Sequence, residues 1–360
     1  MMSRRSFLAA LGMLGATALA GCSGAGEPSE QDSSPISPDE EGAQAAPPSG
    51  GSQPAPQVDG ETPIFDVIDH PLFEGFGRLL FPISLRPPTA DMTLADLPEC
   101  LPWYSCIHTE TTVDVVNYLL GRRAGGGQVF FDIYTEDERS ADPSLSDTGL
   151  FFFPAEGTEH GSPAPFAIVS AGGGFAYVAS MHDSFPHALH LARSGVNGFA
   201  LQYRPDAQLA CQDLARAVEF VVAHADGLGV DPQGYSLWGG SAGARMAAYV
   251  GGLGPTAFGG DAPQPAAVIM QYTGHREITG ADPPTYACVG DRDGIANWRT
   301  MRARLEALSQ QGVPTEFHVY EGLHHGFGLG IGTVAEGWID DARAFWLAHR
   351  NVEALERRSS

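Results

Sequence analysis

The sequence predicts an α/β fold, with a mostly parallel central sheet flanked by helices. Runs rich in β-branched and aromatic residues alternate with helix-like segments from residue 126 to residue 350. The clearest helical segment, Ala207 to Asp226, carries one apolar face. No internal repeat of the kind that builds solenoids is visible. We therefore expect one α/β domain over residues 126–350.

The predicted strands follow one another along this domain, and the first two are expected to form a meander. The third is a buried strand that ends in glycines, and the others alternate with helices. In chain order the strands are QVFFDIYT, GLFFFPA, PFAIVSAGGG, NGFALQYR, YSLWGG, AAVIMQYTG, PTYACVGDRD and PTEFHVYEG.

Residues 61–125 predict a helical N-terminal extension. The segments HPLFEGFGRLLFPI and TTVDVVNYLLGRR are each expected to be helical, with a proline-rich stretch containing Trp103 between them. The pattern leaves open whether this extension forms a cap over the sheet or a brace behind it.

The first 60 residues predict an export signal followed by a tether. Ser3-Arg4-Arg5-Ser6-Phe7-Leu8 resembles a twin-arginine export signal, and an apolar run continues to Ala20. Leu19-Ala20-Gly21-Cys22 resembles a bacterial lipobox, which implies a signal peptide at 1–21 and a lipid such as palmitate at Cys22. Residues 22–60 are rich in Ser, Pro, Gly and acidic residues, as disordered tethers are. The expected location is the outer side of the cell membrane, in the periplasm or at the cell surface, and residues 351–360 are expected to be a tail.

The charge and the basic residues exclude several function classes. The chain has 43 acidic and 20 basic residues, for a net charge of −23, which disfavours nucleic acid as a partner. All the basic residues are arginine, so a Schiff-base lysine, a pyridoxal phosphate anchor and a P-loop are excluded. No cofactor is expected.

Four cysteines follow Cys22. For an exported protein, Cys100 and Cys106 are the candidates for a disulfide bridge, while Cys211 and Cys288 are expected to be buried thiols.

The string YSLWGGSAGARMAA predicts a nucleophile at Ser241. It fits a strand, a sharp turn and a helix that begins near Ala242, and Gly239 and Gly243 flank the serine where side chains would clash. The helix N-terminus would direct the Ala242 N–H toward a developing oxyanion. Gly172, Gly173 and Gly174, on a loop after a strand, could present further N–H groups.

A catalytic serine needs a base and a group that orients the base, and both follow in the chain. Asp291 and Asp293 come directly after one predicted strand, and His324 and His325 after the next. The chain order Ser, Asp, His is that of the α/β-hydrolases. The residues alone leave open which member of each pair acts.

These elements resemble the α/β-hydrolase superfamily, in particular its acetyl esterase branch related to bifunctional feruloyl and acetyl-xylan esterases. The resemblance spans roughly residues 126–350 and rests on the GGGF loop at 172–175, Asp231-Pro232, WGGSAG at 238–243, GDRDGI at 290–295 and HGF at 325–327. It implies the α/β-hydrolase fold, a triad of Ser241, Asp293 and His325, and an oxyanion hole formed by Gly173, Gly174 and Ala242. Ser170-Ala171 precede the glycines where the hormone-sensitive-lipase relatives carry histidine.

The resemblance implies a serine carboxylic-ester hydrolase that acts on small acyl esters, such as acetyl or feruloyl groups on polysaccharide fragments. Two alternatives stay open: a serine exopeptidase of the same fold, and a catalytically silent binding protein. No acidic or cysteine ligand set accompanies the histidines of HDSFPHALH (His182, His187 and His190), so no metal is expected there.

Overall fold

The structure is a computed structural model that describes residues 57–157 and 162–350. The predicted signal peptide, Cys22, most of the predicted tether and the C-terminal tail lie outside the described residues. No helix in the described ranges is both long enough and apolar enough to cross a bilayer.

An eight-stranded sheet forms the centre of the described chain, with the strand order β1-β2-β4-β3-β5-β6-β7-β8. The pairs β1–β2 and β2–β4 are antiparallel, and the pairs β4–β3, β3–β5, β5–β6, β6–β7 and β7–β8 are parallel. The predicted α/β fold is confirmed, although β2 pairs with β4 and not with the next strand in the chain. The strands are Phe130–Phe131 (β1), Gly149–Phe153 (β2), Ala164–Ser170 (β3), Asn197–Gln202 (β4), Val230–Gly240 (β5), Ala267–Gln271 (β6), Thr285–Gly290 (β7) and Thr315–Tyr320 (β8).

Helices cover the sheet, and the central strands β6 and β7 are buried along their whole length. That burial explains their continuous apolar runs, because a strand covered on both faces has no polar side. The α-helices are Ile64–Ile68 (α1), Leu97–Cys100 (α2), Thr109–Ala124 (α3), Glu136–Ala141 (α4), Ser180–Asp183 (α5), Phe185–Arg193 (α6), Ala207–Ala223 (α7), Ala225–Leu228 (α8), Ala242–Leu253 (α9), Trp298–Gln310 (α10) and Trp338–His349 (α11).

The N-terminal extension differs from its prediction in its first half. The segment 70–83 forms two short 3₁₀ turns, Pro71–Phe73 and Gly77–Leu80, and no α-helix. Gly75 has φ +90° between them, and a Cβ at Gly77 would lie 2.0 Å from the Ile68 carbonyl oxygen. Glycine in these conformations ends a helix, so the apolar periodicity alone was misleading. The predicted helix in the second half is confirmed as α3.

The extension packs against two parts of the sheet. Phe76 stacks on Phe130 of β1 with ring centroids 4.7 Å apart, so one part braces the antiparallel edge. Trp103, Tyr104 and Ser105 instead reach the carboxyl ends of the parallel strands. Both of the predicted alternatives, brace and cap, thus describe a part of this segment.

The predicted bridge between Cys100 and Cys106 is wrong, because both are free thiols. Cys100 is buried at the end of α2, where its Sγ lies 3.7 Å from Sδ of Met92. Cys106 instead lines a small cavity with His182 and Leu329. The two thiols therefore occupy different environments, one packed on Met92 of the extension and one at a cavity that His182 and Leu329 also line.

Candidate active site

Ser241 lies on the sharp turn between β5 and α9. Its backbone has φ 52° and ψ −111°, a conformation that non-glycine residues rarely adopt. A Cβ on Gly243 would lie 1.9 Å from the Ser170 carbonyl oxygen, and one on Gly239 would lie 2.3 Å from the Gly243 carbonyl carbon. Only glycine fits at these two positions, and the strained turn presents the serine side chain beyond the end of the strand.

The structure brings Ser241, His325 and Asp293 into one line of contacts. Nε2 of His325 lies 3.1 Å from Oγ of Ser241, and its Nδ1 lies 2.7 Å from Oδ2 of Asp293. The Asp293 side chain is fully buried, and its Oδ1 accepts hydrogen bonds from the N–H groups of Ile295 and Ala296. These bonds fix the carboxylate so that Oδ2 faces the imidazole.

The alternative candidates for the base and the acid, His324 and Asp291, do not join this line of contacts. His324 is exposed at the surface. Asp291 accepts a hydrogen bond of 2.7 Å from the N–H of Gly322, which joins the loops after β7 and β8. Geometry therefore favours Asp293 and His325 over their neighbours.

The glycine loop after β3 lies beside Ser241. A Cβ on Gly172 would lie 2.8 Å from Cβ of Ser241, so the loop and the serine are in direct contact. Gly173 and Gly174 have φ +128° and +63°. Within residues 57–157 and 162–350, the N–H groups of Gly173, Gly174 and Ala242 donate no hydrogen bond to the protein, so all three remain available for a substrate oxygen.

The sequence interpretation missed Asp183, a buried carboxylate beneath the glycine loop. Its Oδ2 accepts hydrogen bonds from the Gly172 N–H at 2.6 Å and from the Tyr104 hydroxyl at 3.2 Å, and its Oδ1 accepts one from the Tyr272 hydroxyl. Burial raises the pKa of Asp183 to about 6, although these three donors oppose the rise.

The histidines beside Asp183 have separate polar partners. His182 Nε2 lies 2.9 Å from the Gly326 carbonyl oxygen, and His187 Nε2 lies 3.2 Å from Oε1 of Gln271. His190 lies 3.1 Å from Asp340. Burial lowers the pKa of His182 to about 4 and that of His187 to about 3, so both are neutral near pH 7.

Three consecutive residues of the extension complete this edge. The Trp103 ring lies 5.3 Å from the ring of Tyr177 and would meet a Cβ on Gly174 at 3.0 Å. Ser105 donates from its N–H to the Gly326 carbonyl and from its hydroxyl to the His325 carbonyl. No motif in the sequence marks these residues, because their role depends on contacts with segments far away in the chain.

The strand order brings together the loops after β5, β7 and β8, and these loops carry Ser241, Asp293 and His325. This is the α/β-hydrolase fold. A family model described as BD-FAE matches residues 153–297, which include Ser241 and Asp293 but neither His325 nor the extension. A comparison with curated proteins found no match.

Solved structures share this fold at low sequence identity. An acetyl ester-xyloside bifunctional hydrolase from Caldicellulosiruptor lactoaceticus aligns with a TM-score of 0.53 and 20% identity, over 61% of this chain and 95% of that one. Butyrate-bound Est2, an esterase from Thermogutta terrifontis, aligns with a TM-score of 0.51 and 22% identity, over 61% and 93% of the two chains. Its form phosphoramylated by tabun aligns with a TM-score of 0.50 and 23% identity, over 56% and 89%.

Proposed function

We propose that this protein is a serine carboxylic-ester hydrolase. The observation that carries the proposal is the chain of contacts from Ser241 Oγ through His325 to Asp293, at 3.1 and 2.7 Å. These distances lie within reach of a direct proton transfer from the hydroxyl to the imidazole.

The reaction would follow from this geometry in two steps. His325 takes the proton of Ser241 as Oγ attacks the ester carbonyl, and Asp293 stabilises the imidazolium that forms. The carbonyl oxygen gains a negative charge, which the N–H groups of Gly173, Gly174 and Ala242 would stabilise. The alcohol leaves with the proton from His325, and a water activated by the same base then releases the acid from the acyl-enzyme.

A first test is labelling with a fluorophosphonate, which mimics the tetrahedral intermediate and requires an activated hydroxyl. We expect one label at Ser241 in the wild type and none in Ser241→Ala or His325→Ala. Ser309→Ala, at an exposed serine on α10, is the matched control and should label like the wild type. A folded wild type that takes no label would contradict the proposal and favour the silent binding protein.

We further propose acetyl or feruloyl esters of polysaccharide fragments as the substrates. Trp103 is 39% exposed and packs on Gly174, and Ile295 and Ile331, from the loops that carry Asp293 and His325, are 62% and 40% exposed. An apolar surface beside a reactive serine suits an apolar acyl group. The match to the BD-FAE family model supports this choice.

A panel of acetyl, butyryl and feruloyl esters together with aminoacyl amides tests the substrate class. We expect turnover of the esters and none of the amides, and a rise in KM of about tenfold for feruloyl esters in Trp103→Ala from lost stacking area. The KM for acetyl esters should change little. Faster cleavage of the amides would indicate an exopeptidase instead.

We also propose that the mature protein begins at Cys22 and is held by lipid on the outer side of the membrane. The support is the paired Arg4-Arg5 and the Leu19-Ala20-Gly21-Cys22 motif. Incorporation of labelled palmitate in cells should be lost in Cys22→Ala. Incorporation that survives this substitution would contradict the anchor.

A further inference from the structure

The network around Asp183 connects parts of the site that the triad leaves separate. Its carboxylate holds the glycine loop through the Gly172 N–H. A Cβ on Gly240, the residue before Ser241, would lie 2.5 Å from both oxygens of Asp183. The carboxylate is thus packed directly against the nucleophile turn as well as against the glycine loop.

Tyr104 connects this carboxylate to the loop that carries the base. Its hydroxyl donates to Asp183, while a Cβ on Gly326 would lie 2.7 Å from Cα of Tyr104 and 2.6 Å from Cδ1 of its ring. Ser105 then fastens the backbone of His325 and Gly326 with two hydrogen bonds. The extension therefore bridges the glycine loop and the histidine loop at a position outside the matched family region.

Tyr272, the residue after β6, also donates a hydrogen bond to Asp183. It follows β6 with φ 35°, a strained value, and its ring centroid lies 5.0 Å from that of His325. Its N–H donates to the Cys288 carbonyl and its hydroxyl donates to Asp183, so the strained residue is held at both ends. Such over-determined strain is typical of functional sites.

The negative charge of Asp183 also acts on the base. Among the described residues no arginine forms an ion pair with this carboxylate. Besides the neighbouring His182, the titratable groups around it are one imidazole, His325, and the phenols Tyr104, Tyr177, Tyr203 and Tyr272. The attraction between Asp183 and His325 opposes the rise in the pKa of Asp183, so this anion and the imidazolium that forms during the reaction stabilise each other.

We propose that Asp183 and Tyr104 are positioning residues that hold the glycine loop at the distance the oxyanion requires and stabilise the cationic form of His325. This inference rests on the proposed ester hydrolysis. It assigns a chemical role to the N-terminal extension, which supplies one of the two residues.

The test compares two tyrosines that each donate to a buried carboxylate. Tyr104→Phe removes the hydroxyl that donates to Asp183, and Tyr134→Phe removes the one that donates to Asp213, whose carboxylate is paired with Arg204. With an activated acetyl ester, we expect Tyr104→Phe to lower kcat about tenfold through a displaced oxyanion site, with KM nearly unchanged. Tyr134→Phe should keep the wild-type kcat while losing comparable stability.

Asp183→Asn is the second variant. An amide has only one oxygen. With that oxygen in the place of Oδ2 it can accept from Gly172 and Tyr104, but its NH2 group then faces the Tyr272 hydroxyl, so kcat should fall about 100-fold. Asparagine does not titrate, so the part of the acid limb of kcat/KM that follows the ionisation of Asp183, with its pKa of about 6, should disappear and the limb should move to lower pH. A purely structural residue would not move that limb.

The outcomes separate the two proposals. A wild type without ester turnover or fluorophosphonate labelling would contradict the hydrolase itself. An active wild type whose kcat is matched by Tyr104→Phe, or an Asp183→Asn enzyme with an unshifted acid limb, would contradict only the positioning role. If Asp183→Asn does not fold, the kcat of Tyr104→Phe relative to Tyr134→Phe still decides.

Discussion

Two buried carboxylates in this protein, Asp183 and Asp213, are satisfied in different ways. Asp213 pairs with Arg204, whose Nη2 lies 2.6 Å from Oδ1, and also accepts from the Arg204 N–H and the Tyr134 hydroxyl. Asp183 accepts from two phenols and one backbone N–H. The guanidinium of Arg204 neutralises the charge of Asp213, whereas Asp183 has no such partner and its charge can act on His325. The contrast separates a carboxylate that holds the fold from one placed for the reaction.

The largest expected effect is the loss of kcat in Asp293→Asn, which shows how much a buried carboxylate in direct contact with His325 contributes. Asp293→Asn keeps the shape but favours the wrong imidazole tautomer, so we expect a loss in kcat of about 10⁴-fold, as in other triads. Asp291→Asn, on the same loop, changes only a hydrogen bond to the Gly322 N–H and should be mild. Steady-state kinetics of the two variants decide between them. Equal losses in both would contradict the assignment of the acid.

The contacts among Ser241, His325 and Asp293 could be predicted because the three residues follow strands of one parallel sheet. The loops after β5, β7 and β8 open at the same edge, so chain order and the turn glycines were sufficient to propose Ser241, Asp293 and His325. The strands themselves were visible as apolar runs bounded by turns. Local patterns identify such features because the information lies within a few residues.

Asp183 and Tyr104 could not be predicted in the same way. They are 79 positions apart, and their contact depends on the path of the extension across the sheet edge. Asp183 lies between His182 and His187 in the sequence, but no motif distinguishes it from a surface aspartate. A buried carboxylate leaves no periodic signal when its partners are tyrosines from other segments.

Arg204 provides the next largest effect, on stability. Arg204→Met leaves Asp213 buried without its cation, so the free energy of unfolding should fall by about 3–5 kcal/mol. Turnover per folded molecule should be essentially unchanged, because in the described part of the chain the side chain of Arg204 pairs with Asp142 and Asp213 and not with Ser241, Asp293 or His325. Denaturant unfolding and active-site titration measure the two quantities.

The control for Arg204 is an exposed pair with similar geometry. Arg193 binds both oxygens of Asp114, at 2.6 and 2.8 Å, but both side chains are 47% exposed. Arg193→Met should therefore cost no more than about 1 kcal/mol. A loss in Arg204→Met as small as that in Arg193→Met would mean that Asp213 does not need its cation.

The buried imidazole of His187 should make the free energy of unfolding depend on pH. Its folded pKa is about 3, against an ordinary 6.5, because burial disfavours the cation. The unfolded chain binds the proton first, so this contribution to stability is present above pH 6.5 and is lost as the pH falls toward 3. Removing the imidazole in His187→Gln should flatten the acid loss of stability in that range. His224→Gln, at the exposed histidine directly after α7, controls for the substitution, and equal curves for both variants would contradict the assignment.

The stability that Asp183 contributes should depend on pH in the opposite direction to that of His187, and this is the smallest of the expected effects. Its folded pKa of about 6 lies above the ordinary 3.8, so the folded state prefers the protonated acid. The associated stability is fully present below pH 3.8 and is lost as the pH rises through 6. Since asparagine does not titrate, the stability of Asp183→Asn relative to the wild type should increase between about pH 4 and 6 and then level off. Reversible denaturant unfolding across this range measures the difference. A relative stability that instead decreases with rising pH would mean that the folded state favours the ionised carboxylate, which would contradict the raised pKa of Asp183.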